Sequence, residues 1–144
     1  HGMTPFGMRA MMSLRLDRFF GSWMSEYSPD YTAAETGLDR FIDFKKSSNF
    51  IGRSVAEAER ITPPKRQLVV FEVDAIDADV VAYEPVFIND EVQGYCTSGG
   101  FSHHSGKSVA FALVPREFVT NDLEVKIEIL GKQHKARRLI KPLL

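Results

Sequence analysis

Cysteine is almost missing from this chain of 144 residues: Cys96 stands alone. That excludes an internal disulfide and points to a reducing compartment, the cytoplasm or, in a eukaryote, the mitochondrial matrix. Within a strand-like stretch, Cys96 itself reads as a small buried hydrophobe. No apolar run approaches the roughly 18 residues of a membrane span. The N-terminus shows no secretory pattern, and His1-Gly2 looks like an expression remnant that takes no part in the fold. Net charge is lacking too, at −1 from 18 basic and 19 acidic residues, so no global field draws the protein to nucleic acid or an anionic membrane. Internal repeats, low-complexity tracts, a Gly-rich phosphate loop, a dinucleotide fingerprint and a Gly-x-Ser-x-Gly elbow are all missing.

What is present suits an ordinary soluble protein. Apolar residues make up 44% and charged residues 26%, enough for one domain or two small units sharing a boundary. Thr4-Pro5 can open a helix and Gly21 can close it, which predicts a helix from about Pro5 to Phe20. At 100° per residue, Phe6, Ala10, Ser13, Leu14, Asp17 and Phe20 share one face, and Met8, Met12, Arg15 and Phe19 the opposite one. A helix apolar on both faces belongs between layers, so the segment reads as cut from a larger body. Asp17 is the anomaly. An acid in the last turn opposes the helix dipole by roughly 0.3–1 kcal/mol, and in an apolar face it is costly unless paired.

Further along, Ser28-Pro29-Asp30 marks a turn and Thr32 caps a short helical turn, Ala33 to Thr36, that stops at Gly37. LDRFIDF, Leu38 to Phe44, alternates as a strand and ends in Lys45-Lys46. Ser54 to Arg60 reads as a short helix. Thr62-Pro63-Pro64-Lys65 cannot continue it and is the natural linker. Beyond lie QLVVFEV, YEPVFI, EVQGYCT, KSVAFALV, LEVKIEIL and KQHKARRLI. These are β-branched or alternating segments, with turns expected at Asn89-Asp90 and Gly131-Lys132. Six closely spaced strands predict a small closed barrel or sandwich.

Three stretches carry a resemblance: FGMRAMMSLRLDRFFGSW, YSPDYTAAETGLDRFIDF and NFIGRSVAEAE. They resemble the C-terminal half of the glycine-cleavage T-protein (aminomethyltransferase) family, in which a helix ends in Arg-Leu-Glu and a turn leads to Glu-x-Gly-Leu and then Phe-(Ile/Val)-Gly-(Arg/Lys). VQGYCTSGGFSHHSGKSVAFALVP resembles that family's Gly-x-x-Thr-Ser-Gly segment and following strand. Trp23 with Ser28-Pro29-Asp30-Tyr31-Thr32 is closest to the branch fused to dimethylglycine and sarcosine dehydrogenases. The iron–sulfur assembly branch is set aside, because its Lys-Gly-Cys-Tyr-x-Gly-Gln motif is replaced here by Ser48-Asn49-Phe50-Ile51-Gly52-Arg53.

The resemblance implies an α+β, β-rich fold. Residues 1–62 would be the C-terminal piece of a folate-binding domain, an α/β segment, and residues 63–144 a six-stranded antiparallel β-barrel domain. It also implies tetrahydrofolate as cofactor of the intact parent, with the family's catalytic aspartate in an N-terminal half that nothing here matches. Asp17 stands where the family has its folate-binding glutamate, one methylene longer. A carboxylate there can accept both adjacent N–H donors of a pterin edge; without such a ligand it would pair with an arginine or backbone N–H groups. Lys46 falls near a family cation that meets the folate carboxylates, or else belongs to a solvated loop. Arg53 is a further cofactor contact or a local cap. Trp23, Tyr27 and Tyr31 can stack on a flat ring or pack a corner, and Met24 replaces a family glycine beside them.

Other features point elsewhere. His103-His104 aim to opposite faces of an extended chain with no third ligand nearby, which argues for a loop over a metal site. The basic strand from Lys132 to Lys141 is balanced by Asp74, Asp77, Asp79, Glu84 and Glu91, which favours a solvated surface over nucleic-acid binding. Two functions remain. One is the C-terminal part of a folate-dependent one-carbon transferase, partnered by the N-terminal part of its own parent or by an amine-oxidising flavoprotein domain. The other is a non-catalytic barrel that docks on a larger amine dehydrogenase or oxidase.

Overall fold

A computed structural model describes residues 1–144. Its strands are β1 (Arg66–Val73), β2 (Pro85–Ile88), β3 (Glu91–Ser102), β4 (Lys107–Pro115), β5 (Glu124–Ile129) and β6 (Lys132–Leu139). They close in the order β1-β4-β3-β2-β5-β6, and β6 returns antiparallel to β1. Every neighbouring pair is antiparallel. Alternation along each strand decides which residues fill the barrel. Val69, Phe71 and Val73 point inward from β1, Ala110, Ala112 and Val114 from β4, and Val125, Ile127 and Ile129 from β5. Cys96 sits among them, fully buried.

β4 is buried on both faces. Its outward residues Val109 and Phe111 form a second, smaller core with Val70 and Leu16, flanked by Phe19, Leu68, Leu139 and Leu143. The barrel therefore has a covered side. The β2–β3 turn falls at Asn89-Asp90, both left-handed (φ 54° and 64°), the geometry that matches strand twist. The β5–β6 turn centres on Leu130-Gly131 (φ 49° and 77°), one residue earlier than the sequence suggests, because both central residues must be left-handed.

The cover comes from α1 (Met8–Asp17), which begins later and ends earlier than the sequence implies. Residues 1–7 are exposed coil, and only Arg15, Leu16 and Asp17 of the helix are buried. Met8, Met11 and Leu14 stay exposed, so α1 meets the barrel with its C-terminal half, where Ser13 Oγ donates to the Phe101 carbonyl of β3 at 2.6 Å. α2 (Ala33–Thr36) has the expected capping box, Thr32 Oγ1 accepting from Glu35 N–H and Glu35 Oε2 from Thr32 N–H. LDRFIDF is not a strand. Asp39–Phe41 forms a single 3-10 turn, since a ring of six strands leaves no edge for a seventh to join. α3 (Arg53–Ile61) follows and stops before Pro63-Pro64.

Burial, reinforced by Glu84, pushes the Cys96 thiol up to about 12. A thiol's ordinary value is about 8.5, and protonation is favoured in the fold, so this stabilisation is complete below that value and drains away as pH rises toward 12. Native Cys96 is expected to resist a thiol reagent at pH 8 and to react once guanidinium unfolds the chain. Relative to Cys96→Ala, unfolding titrations should show wild-type stability falling by ~1.4 kcal/mol per pH unit above about pH 9.

Candidate functional site

The end of α1 is built before its acid is placed. Phe19 adopts a left-handed conformation (φ 57°); its N–H donates to the Leu16 carbonyl, and Phe20 N–H donates to the Arg15 carbonyl at 2.8 Å. This is a Schellman closure with phenylalanine where glycine is usual. Gly21, expected as the stop, has another duty: a side chain there would collide with the Tyr27 ring, whose hydroxyl accepts from Gly21 N–H at 2.9 Å. The Phe19 ring meets Phe111 edge-on, centroids 6.3 Å apart. Asp17 is the last residue inside the closure. Its carbonyl accepts from Leu143 N–H at 2.8 Å. Its carboxylate is 2% exposed, and Oδ1 is buried with no hydrogen-bond partner.

Arg15, two residues before it, enters a polar centre the sequence did not announce. Glu26 is fully buried, and its Oε2 accepts from Ser22 N–H at 2.7 Å and from Arg15 Nη1 at 3.2 Å. Oε1 accepts from the hydroxyls of Thr97 (2.7 Å) and Ser98. Consecutive strand residues normally face opposite ways. Here the β3–β4 register slips between Cys96 and Ser98, and the resulting bulge turns both hydroxyls outward toward Glu26. Arg15 also donates to the Phe20 carbonyl and lies 5.6 Å from the Phe111 ring centroid, while its Nη2 is buried without a partner.

The other sequence candidates separate into two groups. Tyr31 is half-buried; its hydroxyl lies 3.2 Å from that of Tyr95, and the Arg66 guanidinium sits 5.2 Å from its ring centroid. Burial, then the Tyr95 hydrogen bond, pushes the Tyr31 hydroxyl above its ordinary range. Arg66 Nε donates to Glu35 Oε1 at 2.6 Å, and that bond raises the guanidinium further. A cleft of about 1060 Å³ opens beside Glu35, Arg66, Tyr95 and Arg116; Asp17 does not line it.

Lys46 and Arg53 form the second group, both near the Phe50 ring at 5.3 and 5.9 Å. Arg53 donates to the Phe44, Lys46 and Ser48 carbonyls and to Glu57, so it organises the loop. Lys46 is exposed with its ammonium in no ion pair. Trp23 is 71% exposed on the turn after α1. No side-chain hydrogen bond or ion pair joins Asp17 to Trp23, Tyr31, Lys46 or Arg53. His103 lies in the β3–β4 turn, its ring edge-on to Phe101.

Sequence reading missed Glu26, Arg66 and Leu143. For Glu26 the available signal was Thr97-Ser98, a polar pair breaking the alternation of β3. Arg66 and Leu143 carry no local signal, because their partners are distant in the chain.

A closed six-stranded antiparallel barrel, covered on one side by a helix, is the architecture with which known proteins can be compared. The profile of the glycine cleavage T-protein C-terminal barrel domain matches residues 66–144, and that of the GCVT N-terminal domain matches residues 1–46. The chain belongs to the glycine cleavage T-protein family. It is 36% identical over 143 residues to the mitochondrial dimethylglycine dehydrogenase of Rattus norvegicus, with 99% of this chain matched to 17% of that protein. It is 33% identical over 142 residues to the aminomethyltransferase of Geobacillus sp. (strain WCH70), spanning 38% of its length. Its fold matches the glycine cleavage system aminomethyltransferase T of Bartonella henselae with a TM-score of 0.87 at 24% identity, over 96% of this chain and 39% of that one.

Removing a buried charge partner leaves the other uncompensated. Glu26→Ala is expected to cost about 3–5 kcal/mol in urea unfolding, by leaving the buried Arg15 charge unpaired and the Ser98 hydroxyl without its acceptor. Glu26→Gln, which keeps the acceptor oxygen, should cost less.

Proposed function

We propose that this chain is the C-terminal part of a tetrahydrofolate-dependent, aminomethyltransferase-like protein of one-carbon metabolism. Residues 1–62 belong to its folate-binding domain and residues 63–144 form the C-terminal barrel. The observation that carries this reading is Asp17: a buried carboxylate with an acceptor oxygen and no donor to meet it. A buried acceptor of that kind is expensive unless a ligand completes it. A pterin edge presents two adjacent N–H donors, which fits a carboxylate by charge-assisted pairing.

Tetrahydrofolate, when bound, supplies the nitrogen that takes up the one-carbon unit. This chain holds and orients it. Asp17 fixes the pterin, and Trp23 offers an exposed aromatic face. The Lys46 ammonium is free to meet a glutamate-tail carboxylate. Tyr31 contributes a wall, steadied by Arg66 and Tyr95, and Arg53 shapes the loop that carries Lys46. No residue here takes the family's catalytic aspartate role, which falls to the N-terminal part of the parent, this chain's first partner. The compartment is a reducing one, cytoplasm or mitochondrial matrix. No helix is long and apolar enough to cross a membrane.

The match to dimethylglycine dehydrogenase, of which this chain covers 17%, favours a second reading: a non-catalytic barrel docked on an amine-oxidising flavoprotein domain. Titrating tetrahydrofolate into the full-length parent separates the two. Asp17→Ala is expected to weaken binding by roughly 10- to 100-fold, the worth of a hydrogen bond to a charged group. Unchanged affinity overturns the pterin assignment, and a parent that binds no folate supports docking. The 144-residue chain by itself is expected to show no transfer turnover.

A further inference from the structure

We infer that residues 140–144, the tail after β6, form a positioning strap for the Asp17 carboxylate, with Leu143 as its working residue. This rests on the pterin-binding reading of Asp17 given above. Helix ends leave carbonyls without partners. In α1 the Leu14, Arg15 and Leu16 carbonyls are met locally, by the N–H groups of Arg18, Phe20 and Phe19. The Asp17 carbonyl is the next in line and nothing local reaches it. Leu143 N–H does, at 2.8 Å. The Leu143 side chain then joins the outer core of Leu16, Val70, Val109 and Phe111. Leu139, at the end of β6, packs against the same core, so the tail is anchored at both ends of its short course.

The bond matters because of what the Asp17 side chain lacks. Its buried Oδ1 has no hydrogen-bond partner within the protein, so no donor sets the direction of that oxygen. An aspartate has only two side-chain torsions, and its oxygens follow the backbone closely. Three things fix that backbone: the Schellman closure at Phe19, the burial of Leu16, and the Leu143 strap. Leu16 is buried against Val70, Val109 and Phe111 of the barrel, but of the three only the strap places a hydrogen bond from a distant segment on Asp17 itself. Ligand-pairing groups lose their advantage when misplaced by about 1 Å, so loosening the strap weakens ligand pairing without touching the acid.

A double-mutant cycle in the full-length protein, read as the tetrahydrofolate dissociation constant, tests this. Leu143→Pro removes the N–H donor and keeps apolar bulk. It is expected to weaken binding roughly fivefold, the worth of one net hydrogen bond, while Leu143→Ile should bind as wild type does. In an Asp17→Ala background the same Leu143→Pro change should have less than about a twofold effect, because the group it positions is gone. Equal losses in both backgrounds, or no loss in either, overturn the strap. If Asp17→Ala alone leaves affinity unchanged, the pterin reading has failed, a result visible before Leu143 is touched. Should Leu143→Pro fail to fold, judged by far-ultraviolet circular dichroism, Leu143→Ala in the same cycle decides, with roughly a threefold loss expected from its missing packing.

Discussion

The arrangement depends on one buried carboxylate. Glu26 collects donors from α1 (Arg15), from the turn that follows it (Ser22) and from the bulge of β3 (Thr97 and Ser98). Moving a carboxylate out of water costs several kcal/mol, and only good geometry on both oxygens offsets it. Each contributing segment is therefore held in register with the others. The bulge also solves a sorting problem: Cys96 enters the barrel core while the next two residues face out. A regular strand would have sent one of those hydroxyls inward, unpaired, into an apolar core.

Arginine does the same work at three other points. Arg66 joins Glu35 and the Asp30 carbonyl, clamping the capped start of α2 to β1. Arg116 reaches the Pro64 and Ala34 carbonyls, so the linker is tied back to the end of β4. Arg53 gathers three loop carbonyls ahead of α3. A planar fork with several donors suits such multi-carbonyl contacts. The effect is to spend these guanidiniums on the scaffold. Of the two cations that the sequence offers as cofactor contacts, Arg53 is taken up by loop carbonyls and Glu57, whereas the exposed Lys46 ammonium makes no ion pair and lies 5.3 Å from the Phe50 ring centroid.

How much of this could be read in the sequence follows from the range of each interaction. Strand alternation, the Thr32-Glu35 capping box and the Pro63-Pro64 break are local, and all of them appear where the residues put them. Asp17 was legible as an anomaly because its neighbours set the apolar face. The failures are non-local. LDRFIDF has strand periodicity but no free edge to pair with. The end of α1 passes over the available glycine and falls at Phe19, because a ring on the outer face of β4, Phe111, rewards it. Glu26 looks like any acid in a turn until the β3 bulge, some seventy residues later, brings two hydroxyls to it. Leu143 finds its partner only when the tail crosses back over β1 and β4.

The choice of phenylalanine at position 19 shows how these layers combine. A left-handed residue with a Cβ costs about 1–2 kcal/mol relative to glycine. Glycine would end the helix without strain, yet it would leave the closure attached to nothing. Phenylalanine offsets the strain with an edge-on contact to Phe111, worth about 0.5–1.5 kcal/mol beyond its buried area, and so pins the helix end to the barrel. Strained backbone of this kind persists where its surroundings over-determine it. Here those surroundings are the Phe111 ring against Phe19, the buried Leu16 one turn back and the Arg15 guanidinium on the Phe20 carbonyl. Leu143 N–H bonds the carbonyl of Asp17, two residues before the strained one. The strain, the arginine and the strap therefore act on one short length of backbone, the length that carries a buried carboxylate oxygen without a donor.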